Sequence, residues 1–401
     1  MFAFASDLAG EGVTTVLDNL RDRAGVGGIT IAFSYHAARD VFPHNPARKV
    51  IFHPRGGLYF PPDPARYDGL RLQPRVDRTV RERDVVGVAC REAGRRGMNV
   101  SAWTVFLHAD RPEEHQDCVT VNAFGDPFPN DLCPSNEHVR AYCRALVADI
   151  GRYGVAAVLA ESLHFHPLEH GYEHERYFVE LGAWARYLLG LCFCEHCLAR
   201  AGEQGVEGEA VRAAVRIEVE QAFHDRDAAV AGELEREAFS DFAGGELPAY
   251  LDVRADTVTT LTADLAEVAE AGGTRLVFMD LCGAVKGYWT GRPTGAPAAD
   301  IAWRYGIDLP ALARVCPEVE VLAYAADVDR VRLDLETYRG ILGDASLSMA
   351  VRPALPDCDG HENLAAKVAL ARELGLERVD FYHYGFVRLE SLDWIRAALD
   401  A

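Results

Sequence analysis

Residues 156–162 read AAVLAES. A short apolar run that meets no charge until Glu161 is what a strand needs when packed layers cover both of its faces. Seven more runs of this kind lie along the chain: FAFAS (2–6), GITIAFSY (28–35), NVSAWTVFL (99–107), RLVFMDL (275–281), VEVLAYA (319–325), LSMAV (347–351) and RVDFYHY (378–384). Helical periodicity fills the intervals. HENLAAKVALARELG (361–375) sets Leu364, Val368, Ala371 and Leu374 on one stripe and ends at Gly375, and residues 330–342 repeat the pattern with Leu335, Tyr338 and Leu342. Eight strands, each followed by a helix, predict an α/β chain folded as one (β/α)8 TIM barrel over residues 1–401. An open doubly wound sheet would carry a glycine-rich phosphate loop after its first strand, and FASDLAGEGVTT has no such motif. Two insertions are expected. Residues 41–77 hold KVIFHPRGGLYFPP, a hairpin loop after the second strand turning at Gly56–Gly57, and residues 198–272 form an Ala- and Glu-rich helical layer after the fourth.

Composition narrows the function classes. The 401 residues are 49% hydrophobic and 25% charged, enough for a large core. The net charge of −20, from 61 acidic and 41 basic side chains, opposes nucleic acid or an anionic membrane as partner and suits a neutral or cationic small molecule. The first residues lack the basic and long apolar segments of a signal peptide, and no apolar run reaches the roughly 18 residues of a membrane span. A cytoplasmic location is expected, where the ten cysteines stay reduced. The long helical insertion is the surface expected to carry any homo-oligomer contact.

Active sites of such barrels lie at the C-terminal ends of the strands. There the sequence places Tyr35, His36, Arg39 and His44 after the second strand, Trp103 and His108 on and after the third, and Glu161, His164 and His166 after the fourth. The later strands bring Asp280, Tyr324, Asp327, Arg352, Tyr382, His383 and Tyr384. Aromatic faces for C–H surfaces, with carboxylates, imidazoles and guanidiniums for hydroxyls, are what sugar recognition requires. Glu161 closes an apolar strand, so desolvation is expected to raise its pKa toward that of a general acid working near neutrality. His166, His170 and His174 recur every four residues, but Pro167 and Gly171 interrupt them, and a lid over the site is expected before a metal centre.

Residues 191–197, LCFCEHC, hold Cys192, Cys194 and Cys197. Three thiolates need a fourth ligand to close a tetrahedral zinc site, and Cys133, Cys118 and His196 are candidates.

A cysteine before the helix ahead of the fourth strand, a glutamate ending that strand and a C-x-C-x-x-C opening the next helix together resemble glycoside hydrolase family 42, the bacterial β-galactosidase-like enzymes. The resemblance covers residues 120–205. It implies a structural Zn2+ held by Cys133, Cys192, Cys194 and Cys197, and Glu161 as catalytic acid/base. The family has Asn-Glu where this chain has Ala160–Glu161, and a nucleophilic glutamate at the end of the seventh strand, where this chain has Arg352 in SLSMAVRPALPDCDG. A second carboxylate is therefore sought at Asp280, then Asp327, Asp357 or Asp359. The expected function is hydrolysis of a small glycoside or oligosaccharide. Glu161 with Asp280 or Asp327 would supply the chemistry, and Tyr35, His36, Arg39, Trp103, His164, Tyr324, Arg352 and Tyr382 would bind the sugar. A non-catalytic carbohydrate-binding barrel and a metal-dependent sugar isomerase or lyase remain as alternatives.

Overall fold

The computed structural model describes every residue except 55, 82, 109–114, 170–175, 177, 226–233 and 288–289. Eight parallel strands follow one another in chain order: β1 (Phe2–Ala3), β2 (Gly28–Tyr35), β3 (Asn99–Val105), β4 (Ala157–Glu161), β5 (Arg275–Asp280), β6 (Glu318–Leu322), β7 (Ser346–Val351) and β8 (Arg378–Phe381). Each coincides with one of the apolar runs, because burial on both faces leaves little room for charge along a strand. Each pairs in parallel with the next, and the register sets Glu161 opposite Val105. Among the described residues no backbone ladder joins β8 to β1. Side chains bring the two ends together: the Phe2 and Tyr382 rings lie 5.4 Å apart, and Thr30 donates to Asp380 at 3.3 Å. The architecture is an α/β fold with a mostly parallel sheet and many helices.

The segment after β2 differs from expectation. The hairpin pairs Ala38–Val41 with Val50–His53, so its connection spans residues 42–49. Gly57 and Leu58 instead form a short strand antiparallel to β2, and Gly57 opposes Tyr35. Gly56 does turn, with φ of 59°, but the turn leads from the hairpin into this strand, and a Cβ on Gly57 would sit 2.9 Å from the Pro54 ring.

The 198–272 stretch is mostly helical where described. The 26-residue helix Glu246–Ala271 belongs to two cores. Its Val258, Leu261 and Leu265 pack in the main core. Leu247, Tyr250 and Leu251 join Leu188, Phe193, Val211 and Val215 in a second one. Among the described residues no helix is long and apolar enough to cross a membrane.

Candidate active site

The C-terminal ends of the strands surround a cavity of about 860 Å³. Trp103 on β3 forms part of its floor. Its ring is packed edge-on by Phe2 at 5.1 Å and by Tyr35 and Tyr382 at 4.7 and 5.7 Å, and its indole N–H donates to the Glu161 carboxylate. Burial pushes the Glu161 carboxyl up to about 7. The Trp103 hydrogen bond and nearby His108 oppose the rise without cancelling it. Ser162, the next residue, has φ of 56°, a left-handed conformation that a non-glycine residue holds only when its surroundings impose it. Because the indole N–H favours the carboxylate form, Trp103→Phe should raise the Glu161 pKa further, by about half a unit to one unit. A carboxyl-resolved NMR titration reads this, and a downward shift would show that the indole does not act through its hydrogen bond.

Glu161, Tyr35, His36 and Arg39 line the cavity, as do Trp103, Tyr324 and Tyr382. His164 lies behind the wall, its Nδ1 donating to the Phe165 carbonyl at 2.9 Å. Asp280 is fully buried and away from the lining. It accepts from Tyr338 Oη and the Cys282 backbone N–H, each at 2.8 Å, which is the role of a structural carboxylate. Asp327 caps the helix Val328–Leu342, accepting from the Asp329 N–H at 3.0 Å on the exposed rim. Arg352 follows β7, stacks 4.3 Å over Tyr324 and pairs with Asp357, and it too stands outside the lining. His170 and His174, the expected lid, lie outside the described residues.

Among the described residues, the carboxylates that line the cavity beside Glu161 are Asp40 and Glu169. Asp40 sits 3.3 Å from His53, and Glu169 pairs with Arg186 at 2.7 Å. Arg39, Arg186, Arg254 and Arg304 also face the space, so the chain-wide excess of acid is not repeated there. Of these, sequence reasoning named Arg39 and missed Asp40, Glu169, Arg186, Arg254 and Arg304. Asp40 belongs to a hairpin whose register was misplaced, and the arginines on helical segments carry no local signal of facing inward.

Four imidazoles form a file that starts in one wall and ends behind it at His164, with ring centroids of His36 and His108, His108 and His166, and His166 and His164 at 5.0, 5.1 and 5.1 Å. Burial pushes His36 and His164 down to about 3 and lowers His166. Asp131 lies on the strand Pro127–Leu132, beside His108 and His166. Despite its burial, those two imidazoles hold its carboxyl below the usual range.

The four cysteines named by the resemblance come together. Cys133 Sγ lies 3.5 Å from the sulfurs of Cys194 and Cys197 and 4.0 Å from that of Cys192. All are buried free thiols. His196 turns instead to Glu195 at 3.6 Å, and Cys118 meets Cys133 through the backbone. Zinc–sulfur bonds of about 2.3 Å in a tetrahedron separate the sulfurs by about 3.8 Å, so the cluster has the dimensions of a zinc site. The Val121 N–H approaches Cys192 Sγ at 3.4 Å, the kind of outer contact that supports a thiolate ligand.

The fold is similar to that of solved β-galactosidases. The enzyme from Marinomonas ef1 matches all of this chain with a TM-score of 0.54 at 12% identity. Those from Bacillus circulans sp. alkalophilus and Rahnella sp. R3 match 96% and 98% of it, with TM-scores of 0.53 and 0.52 at 12% and 10% identity. This chain spans 58%, 53% and 54% of their respective lengths. No protein-family model matches the chain, and no curated protein matches its sequence. At such identities the likeness concerns the fold.

Proposed function

We propose that the chain is a glycoside-hydrolase-like enzyme on a (β/α)8 barrel, acting on a small glycoside or oligosaccharide with Glu161 as general acid. The observation that carries this reading is Glu161 itself, a carboxyl at the end of β4, raised to about 7 inside an aromatic-walled cavity. At neutral pH a large share of it holds a proton that can pass to a glycosidic oxygen as the C–O bond breaks. Trp103, Tyr35, Tyr324 and Tyr382 offer rings for the C–H faces of a sugar. The second carboxylate falls to Asp40 or Glu169, which share the cavity, rather than to buried Asp280 or rim Asp327. Either would accept the proton of an attacking water. Among the described residues four guanidiniums face three carboxylates, one of them about half protonated at neutral pH, which favours a sugar carrying an acidic group. A structural zinc on Cys133, Cys192, Cys194 and Cys197 would tie the strand before the helix Glu137–Gly151 to the helix Glu195–Glu203.

The test is a panel of chromogenic glycosides of hexoses, pentoses and uronic acids, with product stereochemistry followed by NMR. Hydrolysis with the strongest response among uronides is expected, and Asp40→Asn and Glu169→Gln should differ sharply in residual turnover. Binding of sugars without release of any aglycone would point to a non-catalytic carbohydrate-binding barrel.

A further inference from the structure

Two imidazoles and one carboxylate converge beside Glu161 without a role in the proton transfer proposed above. His108 follows β3, and its backbone bridges to Asp131, which fixes the two residues face to face. His166 arrives from the loop after β4. Asp131 Oδ1 lies 3.2 Å from His108 Nδ1 and 2.9 Å from His166 Nδ1, and one ligand atom from each residue falls within 4.8 Å of the others. We propose that His108, Asp131 and His166 form a divalent transition-metal site, separate from the cysteine cluster and opening on the same cavity as Glu161.

The spacing supports coordination. Ligand atoms about 2.1 Å from one ion stand about 3.0–3.4 Å apart in octahedral or tetrahedral arrangements, close to the separations of 3.2 and 2.9 Å found here. The donor set selects the metal class. Two imidazole nitrogens with one carboxylate suit Zn2+, Mn2+, Fe2+ or Co2+, whereas Mg2+ and Ca2+ prefer oxygen throughout. All three residues are less than a tenth exposed, and the Asp131 carboxylate meets both imidazoles through one oxygen. A further nitrogen donor is close by. His164 Nδ1 gives its hydrogen to the Phe165 carbonyl, which leaves Nε2 as a lone pair, buried and without a hydrogen-bond partner, on a ring 5.1 Å from His166. Three protein ligands leave coordination positions open. Since His108 and His166 line the cavity, those positions suit hydroxyl or carbonyl oxygens of a cavity ligand.

The site is tested on the full chain without reference to turnover. Protein stripped by chelator is titrated with Co2+ and followed by absorption and metal analysis. Two ions per chain are expected: one with the intense charge-transfer absorption of thiolate ligands, the other with weak ligand-field bands only. Asp131→Asn, which keeps size and shape, and His166→Ala should retain the thiolate ion and weaken the second about a hundredfold or more. Retention of the thiolate band shows that each variant is folded. Should the cysteines take no cobalt, one nitrogen- and oxygen-bound ion in the wild type, lost in both variants, carries the same conclusion. A wild type that binds no ion beyond the thiolate one, or a second ion unaffected by either substitution, overturns the proposal.

Discussion

Glu161→Gln should lower kcat/KM for glycosides with poor leaving groups by about a thousandfold. Aryl glycosides whose leaving groups depart without a proton should lose far less. Gln keeps the size of the side chain and an oxygen for the Trp103 N–H, so the substitution removes the proton and little else. Stability separates lost chemistry from lost folding. The folded-state pKa of Glu161 is raised from 4.5 to about 7, so the native protein binds this proton more tightly than the unfolded chain. Its stabilising share is fully present below about pH 4.5 and is lost as pH rises through about 7. Gln carries no such titration, and at pH 8 the variant should unfold at or above the wild-type temperature. A variant that is both inactive and less stable at pH 8 would trace the loss to folding, and equal losses on both classes of leaving group would argue against general acid catalysis.

Removal of the zinc proposed for the cysteine cluster is expected to have the second large effect. In zinc-finger peptides a structural zinc contributes roughly 10–16 kcal/mol of apparent binding energy. Here the four cysteines are a small part of a large apolar core, so the loss should concentrate where they join separate segments. Metal-free protein, or Cys197→Ser, should show a Tm lower by about 5 °C or more, with faster proteolysis around the helices Ala183–Leu189 and Glu195–Glu203. Cys90→Ser, at a half-buried thiol away from the cluster, serves as the control. Equal unfolding temperatures with and without metal would refute a structural role. Cys133 stands two residues after Asp131, so the cluster also anchors the segment that carries Asp131.

Much of the fold was legible because the strands are buried on both faces, and this suppresses charge along AAVLAES and its seven counterparts. Local patterning also placed Glu161 at a strand end, and its desolvation followed from the apolar run before it. The hairpin after β2 was misread. Gly56 does lie in a turn, yet the pairing of the following Gly57 and Leu58 with Tyr35 and Ser34 is a tertiary matter that no dipeptide reports. Asp280 and Asp327 were attractive for the same reason as Glu161, their position after a strand. What distinguishes them is their partners, Tyr338 and the Cys282 N–H for one and a helix terminus for the other, contributed by later segments of chain. Asp131 gave no signal at all. It joins His108 and His166 through a bridge between strand ends that the sequence does not mark.

The most direct test of Glu161 as the acid is the pH dependence of kcat/KM on the best glycoside of the panel. The wild type should lose activity as pH rises through about 7, the value set by burial of this carboxyl, and Glu161→Gln should show no such limb. A wild-type profile flat through neutrality, or a limb unchanged in the variant, would contradict the assignment.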